Sequence, residues 1–569
     1  MGLLDSTARL RLVSRLGALS IFGLAGCSLL YGFESTQCSQ DADCEVRGPA
    51  FAGSICQKSF CVTATGGSDG LGGSDGGCTT NSECIDAEEN FGEPAVCRHG
   101  TCFPLKVGTE CPWVLGAGGE DLDNLRKADP IIIGAYAPID LGAATKSAYV
   151  ANYDLAIEEM NEATSGGLTG GPGGSLRPFV AVVCDSIDDP DFDLSLGHLI
   201  DDLEVPAIIS AIFAKDLKSA FTEKGQPNEV FFLSPIDADS SLTSIIDDDL
   251  LWHMLGAAHN LSPGFIALVH DVETYVRQQR GIADSDPIKL ALVDADTQFL
   301  NDITDDLLSG MTFNGQGWFE NGDNFLRSQT DSALEVPQPD VSQTVDELID
   351  FVPDVVVSVG SPESLDLIHQ LEAAWTPQQE ERPFYIVSPY VFGQPDLLAS
   401  TLADVHQRMF GINFAAAEQA ALYNNYFSNL QQAYPNTEDL DGKENFYDAA
   451  YFLMYAIAGA GPPPVTGREI AVGMKRLINP TSSTPRYEVG RSHVTDALTA
   501  LSVTSSRIAL IGTLGDPLFN ITGARADLPS VYCVADRVRI QNALLYDPVN
   551  EEIYEPASGP QPCVPEFSP

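Results

Sequence analysis

Short runs of β-branched and apolar residues alternate with longer segments of helical spacing from about residue 129 to residue 534. This alternation is typical of βαβ units and predicts an α/β fold with parallel sheets. Most of the short runs are continuously apolar, which indicates strands covered by helices on both faces. Helices are predicted at residues 148–163 and 364–375, where apolar positions recur with helical period. Strands are predicted at residues 131–135, 179–183, 207–212, 230–233, 264–269, 289–293, 355–359, 384–387 and 408–413. Two sheets are expected rather than one, because a single sheet of this many strands would be large.

The composition narrows the class of protein. The chain has 569 residues, 44% of them apolar and 19% charged, so it can bury hydrophobic cores and is not disordered throughout. Its 80 acidic and 30 basic residues give a formal net charge of −50. This charge would repel nucleic-acid phosphates and anionic lipid headgroups, and the sequence contains no basic patch that offsets it. We therefore expect no nucleic-acid partner, and a small molecule or another protein instead.

Residues 1–26 predict a targeting segment. Arg9, Arg11 and Arg15 form a basic region before an apolar stretch that is too short to span a bilayer. Leu24-Ala25-Gly26-Cys27 then resembles the bacterial lipobox, which implies cleavage before Cys27 and lipid attachment to its thiol. An ordinary secretory signal with an incidental cysteine is the alternative. Ser28, in the position that sorts bacterial lipoproteins, favours the outer membrane by analogy. We expect an exported protein that is anchored to the cell envelope, facing the periplasm or the cell surface.

Twelve further cysteines, an even number, are typical of disulfides in an exported chain. Eight of them form a repeat, C-x5-C-x11-C-x4-C followed by C-x5-C-x12-C-x4-C. Each repeat is too small for an apolar core, so we expect disulfides that stabilise it by about 2–4 kcal/mol each. The spacings lack the C-x2-C pairs of zinc modules, so no metal site is expected, and the pairing within each repeat stays open. The repeat cysteines are Cys38, Cys44, Cys56 and Cys61, then Cys78, Cys84, Cys97 and Cys102.

The cysteines and the Gly-rich stretch between the repeats suggest how the chain is divided. The predicted parts are a tether (27–37), a first Cys-rich unit (38–61), a Gly/Ser linker (62–77), a second Cys-rich unit (78–111), the large domain (129–534) and a C-terminal extension (535–569). Because Gly-rich linkers are flexible, the two units are expected to move independently. The remaining four cysteines lie far apart, and we expect Cys111 with Cys184 and Cys533 with Cys563 to pin the ends of the large domain.

Several segments of the large domain, in order along the chain, resemble one known family, among them residues 232–235 with 242–243, 354–357 and 447–451. Residues 131–138 (IIIGAYAP) resemble its first strand and turn, residues 152–161 (NYDLAIEEMN) its first helix, and residues 512–519 (GTLGDPLF) a late segment. The family is that of the type I periplasmic binding proteins, in particular the branched-chain amino-acid binding proteins and related receptor domains. The resemblance implies two α/β lobes that close over a ligand held between them. The first lobe is expected at about 129–252 and 412–505, and the second at about 253–411 and 506–534.

The resemblance also places the cleft loops at residues 138–147, 210–215, 235–243, 294–298 and 358–361. Amino-acid binders of this family are implied to hold the ligand with a Ser pair after the third strand and an Ala-Thr pair after the fourth. This chain has Ser210-Ala211-Ile212-Phe213-Ala214-Lys215 and Ser234-Pro235-Ile236-Asp237-Ala238-Asp239 instead, so the hydroxyl clamp is absent. The residues expected to bind ligand are Tyr136, Phe213, Lys215, Ile236, Asp237, Ala238, Asp239, Asp294, Ser361 and Tyr390.

Each of these residues has a structural alternative. Asp237 and Asp239 could instead cap the following helix or face water, as acidic residues before a helix often do. Tyr136, Phe213 and Tyr390 could instead be part of the core, which is common for aromatic residues at strand ends. If the acids do line the cleft, a polyol, a peptide, a cation or an aromatic metabolite fits as well as leucine, because two carboxylates would repel a carboxylate ligand.

No motif in the sequence predicts an enzyme or a cofactor. There is no G-x-S-x-G elbow, H-E-x-x-H, P-loop or C-x-x-C, and the histidines are scattered. The expected function is capture of a small molecule for an ABC-type importer. A cell-surface receptor or adhesion lipoprotein with a protein partner is the alternative, which the Cys-rich units favour.

Overall fold

The computed structural model describes most of the chain after residue 76. Before it, only the strands Ser54–Gln57 and Phe60–Thr63 are described, so the predictions for Cys27, Cys38 and Cys44 lie outside the described residues. The later described ranges are 77–87, 92–127, 129–139, 146–170, 174–186, 192–334, 336, 338–375, 382–415, 420–438, 440, 442–461, 465–556, 559 and 561–563. Residues 1–76 and 77–569 form two separate compact units, and the second unit contains both sheets of the large domain.

Two sheets confirm the predicted α/β fold. The first has seven strands, which all run parallel except the edge strand Trp113–Leu115. In spatial order they are Ala524–Arg525, Leu251–Gly256, Phe231–Ser234, Ala207–Ser210, Ile131–Ala137, Phe179–Asp185 and Trp113–Leu115. The second has eight strands, of which the first five in this order are parallel. They are Phe325–Thr330, Leu290–Ala295, Val355–Val359, Phe384–Val387, Met409–Phe414, Pro529–Ala535, Val538–Asp547 and Glu552–Tyr554.

Each sheet contains the same doubly wound strand order. When the five main parallel strands of a sheet are numbered along the chain, their spatial order is 2-1-3-4-5 in both cases. This is one of the two common orders of open α/β sheets, in which ligands bind beyond the carboxyl ends of the strands. We call the first sheet with its helices the first lobe, and the second sheet with its helices the second lobe.

Helices cover both faces of each sheet, as the continuously apolar strands predicted. The strands Ile131–Ala137 and Val355–Val359 are buried at every position. The first lobe contains the helices Ala148–Ala163, Phe192–Gly197, His198–Asp202, Ala214–Ala220, Phe221–Gly225, Ser240–Thr243, Ala420–Ala433, Glu444–Ala460, Gly467–Met474 and Val494–Leu501, and the short parallel pair Arg486–Glu488 and Ala509–Ile511. The second contains Ala258–Arg280, Gln298–Gly310, Ser342–Phe351, Glu363–Ala374 and Pro389–Phe392, the hairpin Thr312–Phe313 and Gln316–Gly317, and several short 3-10 turns.

The chain passes between the lobes three times, and this corrects the expected lobe boundaries. The crossings follow Gly256, Phe414 and Arg525. Residues 506–525 were expected in the second lobe, but Ala509–Ile511 is buried in the core of the first lobe. The expected C-terminal extension after residue 534 is also not separate. Its strands Val538–Asp547 and Glu552–Tyr554 pair antiparallel with the second sheet and so satisfy that sheet's backbone hydrogen bonds.

One predicted strand is wrong. Residues 264–269 lie inside the helix Ala258–Arg280, the longest helix of the described residues. Its buried positions include Leu261, Phe265, Leu268 and Val272, which recur every three or four residues, as on one face of a helix. A short apolar run does not distinguish a strand from the buried face of a helix, and only the longer window shows the helical period.

The second Cys-rich unit packs against the first lobe and is not a separate module on a tether. Its residues Ile85, Val96 and Leu105 are fully buried in the same core as Leu199 of the first lobe. The Asn81 side-chain amide also donates to the Leu125 carbonyl at 2.9 Å. Docking of this kind supplies the apolar burial that so small a unit lacks by itself.

Four disulfides lie within the described residues. Cys78 pairs with Cys97 and Cys84 with Cys102, which resolves the pairing of the second repeat. Cys111 pairs with Cys184 and Cys533 with Cys563, the two pairings expected above. In each repeat a two-stranded antiparallel ladder places the third cysteine opposite the fourth, Cys56 opposite Cys61 and Cys97 opposite Cys102. Disulfides of this number are typical of an oxidising compartment outside the cytoplasm.

A buried polar network ties the first helix of the large domain to a later one. Glu159 is 7% exposed and accepts hydrogen bonds from the hydroxyls of Tyr447 at 2.5 Å and Tyr451 at 2.8 Å. The hydroxyl of Tyr455, one turn further along the same helix, is buried without a hydrogen-bond partner among the described residues. No helix in the described part of the chain has the length and apolar character needed to cross a membrane.

Candidate ligand-binding cleft

A cavity of about 360 Å³ lies between the two lobes. Its walls come from both lobes and from all three crossings. Two other cavities among the described residues, of about 400 and 470 Å³, are each confined to one lobe. Only the inter-lobe cavity among these three would change shape if the lobes moved relative to each other, so it is the candidate site.

The first lobe supplies its wall from loops and helix starts beyond the carboxyl ends of its strands. Ile236 and Ala238 follow the strand Phe231–Ser234, and Tyr149 lies at the start of the first helix of the lobe. The segment from Gly442 to Phe446, which begins the helix Glu444–Ala460, completes this wall with Leu514. The Asn445 side-chain amide donates to the Pro235 carbonyl at 2.6 Å and so holds the loop against the helix.

The second lobe faces this wall with aromatic rings. Phe299 lies in the first turn of the helix Gln298–Gly310, and Tyr390 and Phe392 lie on the short helix after the strand Phe384–Val387. The rings of Phe299 and Tyr390 pack edge to face with their centroids 6.0 Å apart. Gln394 and Gln541 add amide groups to the same wall.

The crossings form the back of the cavity. Leu255 belongs to the first crossing, Phe414 and Asn413 to the second, and Asp527 to the third. The crossings are tightly packed, because a Cβ added at Gly256 would lie 2.5 Å from the Phe414 ring. The glycine is therefore required for the close approach of the first two crossings.

Asp237 lies between two residues that line the cavity, in a partly buried loop. Its carboxylate accepts from the backbone amides of Ala214 at 3.0 Å and Asp239 at 3.2 Å. Burial, with a smaller contribution from the nearby charge of Asp239, raises the pKa of Asp237 to about 7. Its carbonyl oxygen is hydrogen-bonded to Nδ1 of His253 at 2.6 Å, and burial lowers the pKa of that histidine to about 4.

Asp239 has the capping role that was the structural alternative. It is 2% exposed and accepts from the backbone amides of Ser241 at 2.9 Å and Leu242 at 3.2 Å, at the start of the helix Ser240–Thr243. Burial raises its pKa, although these hydrogen bonds lower it. Burial, together with the negative charges of Asp237 and Asp239, likewise raises the pKa of Tyr390.

The structure therefore brings Ile236, Ala238 and Tyr390 to the cavity wall, with Asp237 and Asp239 directly adjacent in the chain. The remaining expected ligand residues do not line it. Tyr136 is fully buried in the core, where its hydroxyl bonds to Ser195 Oγ at 2.9 Å.

Phe213 is 41% exposed and Lys215 is exposed, both at the start of the helix Ala214–Ala220 and outside the cavity wall. Asp294 forms a two-oxygen ion pair with Arg327 at 2.9 Å. Ser361 is bonded to Ser332 at 2.9 Å and is fully buried. Both partners belong to the second lobe, so these two side chains stabilise its loops, and neither is part of the cavity wall.

The residues that sequence reasoning missed fall into two groups. Lys443, Glu444 and Phe446 lie at the start of the helix Glu444–Ala460, and Phe414 and Asp527 lie at crossings. The start of a helix after a Gly-containing loop is a signal that could have indicated the first group. No local pattern marks the second group, because its position depends on how the chain returns between the lobes.

Two doubly wound lobes, three crossings and a cavity at the carboxyl ends of both sheets define a two-lobed fold like that of the type I periplasmic binding proteins. No protein-family model and no curated protein matches the chain. The similar solved structures include the leucine-binding protein LivK from Thermotoga maritima, at 14% identity over 74% of this chain and 99% of that chain, with a TM-score of 0.49.

Two further similar structures carry ligands in their descriptions. The substrate-binding protein LivJ from Streptococcus pneumoniae, in complex with isoleucine, matches at 14% identity over 75% of this chain and 100% of that chain, with a TM-score of 0.46. A solute-binding protein of an ABC transporter from R. palustris, in complex with benzoate, matches at 11% identity over 72% and 95%, with a TM-score of 0.46. The strand order of the two sheets and the three crossings define the fold of this chain.

Proposed function

We propose that this protein is an extracytoplasmic solute-binding protein that captures a small molecule between its two lobes for an ABC-type importer. The observation that carries this proposal is the cavity of about 360 Å³ with walls from both lobes and from each crossing. Its volume falls within the range of about 300–1,000 Å³ typical of small-molecule sites. A ligand there contacts both lobes at once, so its binding free energy favours the closed arrangement over an open one.

The contacts around the cavity are those of binding rather than of a chemical step. The walls are mainly aromatic, aliphatic and amide side chains together with Lys443, Glu444 and Asp527. The adjoining acid, Asp237, is hydrogen-bonded to backbone amides. The LivJ structure contains isoleucine and the R. palustris solute-binding protein contains benzoate, two small molecules that would fit within a cavity of this volume.

We further propose that the protein is lipidated at Cys27 and held at the envelope, with the outer membrane favoured. The lipobox-like Leu24-Ala25-Gly26-Cys27 and the disulfides of the described residues support this placement. Expression of the full chain with labelled fatty acid tests it. Incorporation that is lost in Cys27→Ser is expected, and equal labelling of both proteins would contradict lipidation.

Native mass spectrometry of the purified protein tests the capture function. We expect an added mass of one small molecule per chain, released on denaturation, or a rise in melting temperature when a metabolite mixture is added. A matched pair of variants locates the site. Phe299→Ala is expected to reduce the bound fraction, whereas Phe319→Ala, which removes an 80% exposed ring of the same lobe, is expected to leave it unchanged. Binding that both variants retain fully would argue against the inter-lobe cavity.

A further inference from the structure

The walls of the inter-lobe cavity contain many aromatic rings. Six of the 21 lining residues are aromatic: Tyr149, Phe299, Tyr390, Phe392, Phe414 and Phe446. One of these rings already receives a cation, because the Lys443 ammonium lies 5.3 Å from the centroid of the Tyr149 ring. Faces of aromatic rings attract ammonium groups, most strongly where water is excluded.

The side-chain amides of the wall are largely engaged within the protein. Asn445 donates to the Pro235 carbonyl at 2.6 Å, Gln394 to the Tyr390 carbonyl at 3.2 Å, and Gln541 to the Phe414 carbonyl at 3.5 Å. A carboxylate ligand needs several free N–H or O–H donors, because its oxygens only accept. Each of these bonds uses one of the two N–H donors of its amide, so one N–H of each of the three amides remains for a ligand.

An acidic group remains partly available at the back of the cavity. Asp527 lines the cavity, its side chain is 12% exposed, and within the described residues its ion-pair partner is Arg525, which reaches Oδ1 at 3.1 Å. The same guanidinium also donates to the carbonyls of Leu514 and Asp516, each at 3.0 Å. Arg525 is fully buried and bonds to these three acceptors through Nε and Nη2, while its Nη1 is buried without a hydrogen-bond partner among the described residues.

Other charged groups near the cavity also favour a cation. Glu444 lines it, and Asp237 and Asp239 lie in the loop that carries Ile236 and Ala238. Lys443 is the opposing charge of this wall. Burial raises the pKa of Asp527, and the charge of Arg525 opposes this effect.

We propose that the cleft binds an organic cation, an amine or ammonium group on an aromatic or apolar body, with the charged group at Asp527 and the body against the rings. This inference rests on the proposed capture function and names its ligand class. It differs from the α-amino acids that the sequence resemblance implies, since those add a carboxylate to a wall that already contains the acidic side chains of Glu444 and Asp527.

Calorimetric titration of the full-length protein with three matched probes tests the proposal. The probes are 2-phenylethylamine, the neutral 2-phenylethanol and the anionic 3-phenylpropanoate, which share a phenyl ring and a short chain. We expect the amine to bind at least about tenfold more tightly than either other probe, since hydrogen bonds to charged groups exceed neutral ones by about this factor. Equal or tighter binding of the carboxylate overturns the inference.

Variants test whether Asp527 is responsible for the preference for the amine. Asp527→Asn is expected to weaken amine binding about tenfold to a hundredfold and to leave the alcohol unaffected. The control, Asp516→Asn, removes an acid whose side chain is 46% exposed and lies outside the cavity wall, and we expect it to change neither probe. Glu444→Gln, which leaves Arg525 paired, serves as a second variant if Asp527→Asn does not fold, and a smaller loss specific to the amine is expected. If the folded variants keep the same preference for the amine, the charged group of the ligand does not lie at Asp527 and the proposal is overturned.

The outcomes separate this inference from the capture function. A co-purified or titrated anion, with no response to the amine, overturns the cation inference while the capture function stands. If neither a co-purified molecule nor any probe binds, both are overturned.

Discussion

Asp302 forms a direct link between the two lobes. It lies on the helix Gln298–Gly310 of the second lobe, and its carboxylate accepts from Ser240 of the first lobe twice, from the backbone amide at 2.9 Å and from Oγ at 2.8 Å. Gln298 donates to the same carboxylate at 2.8 Å and to Ser240 Oγ at 3.2 Å. Asp302 is 9% exposed, so water competes little for these bonds. We predict that this contact stabilises the arrangement in which the cleft is closed.

The magnitude follows from two opposing effects. A hydrogen bond to a charged group contributes about 1.5–3 kcal/mol, and Asp302 receives two across the cleft. Against this, the pKa of Asp239 is raised by its burial and, to a smaller extent, by repulsion from the Asp302 charge. We therefore expect a net contribution of about 1–3 kcal/mol to closure, or roughly 5- to 150-fold in the ratio of closed to open forms.

A double-mutant cycle tests the contact. The free energy of unfolding is measured for Ser240→Ala, for Asp302→Ala and for the double variant, and their non-additivity gives the coupling free energy between the two side chains. We expect a coupling of about 1–2 kcal/mol, because Ser240→Ala removes one of the two bonds. The control cycle uses His259 and Asp306, an ion pair at 2.6 Å within the second lobe whose side chains are 61% and 31% exposed. We expect a coupling free energy of at most about 1 kcal/mol between these two side chains. We also expect the radius of gyration of the control variants, measured by small-angle scattering, to equal that of the parent. A coupling near zero for Ser240 and Asp302, with unchanged scattering of Asp302→Ala, would refute the link between the lobes.

Three further predictions concern stability. The pKa of Asp237 is raised to about 7 from an ordinary value of 3.8, so its stabilising protonated form is present at low pH and is lost as the pH rises through about 7. At a pH of about 8, Asp237→Asn should therefore unfold at a higher urea concentration than the parent, and this difference should disappear near a pH of about 4. If the stability of the two proteins depended on pH in the same way, Asp237 would not have the raised pKa. Tyr451→Phe removes a hydrogen bond of 2.8 Å to Glu159 and should lower the free energy of unfolding, measured by chemical denaturation, by about 1–2 kcal/mol. Tyr455→Phe should change it little, because the Tyr455 hydroxyl has no hydrogen-bond partner among the described residues. Equal losses of stability in the two variants would show that the hydrogen bond from Tyr451 to Glu159 does not stabilise the protein. Replacing both Cys111 and Cys184 by Ala opens a disulfide with a sequence separation of 73 and should cost about 4 kcal/mol of unfolding free energy, and a loss below about 1 kcal/mol would contradict the stabilising role.

Much of the α/β architecture could be predicted from local patterns. The helix Ala148–Ala163 has the predicted bounds, and Val355–Val359 and Phe384–Val387 are strands where continuous apolar runs occur. The same rule failed at residues 264–269, because a helix with one buried face also contains short apolar runs. Local patterns are therefore reliable for the burial of a segment and less so for its conformation.

The candidate site was predicted only where it follows a strand directly. Ile236, Ala238 and Tyr390 lie just after strands, at the edge where ligands bind in open α/β sheets. Tyr136, at a similar position in sequence, is instead part of the core, since the helix Phe192–Gly197 places Ser195 next to its hydroxyl. Which side of a strand end faces the other lobe is not encoded in the residue type.

By itself, the sequence determined the class of the chain, since its acidity, its cysteine repeats and its alternating apolar runs are properties of composition and period. Tertiary structure alone decided which residues meet. Asp527 and Phe414 are over 100 residues apart in the chain yet line one cavity, because the chain crosses between the lobes three times and returns to the same edge. Tertiary structure also decided that the second Cys-rich unit is part of the large domain. Its few apolar residues can be buried only against the first lobe, and no pattern within the unit specifies that surface.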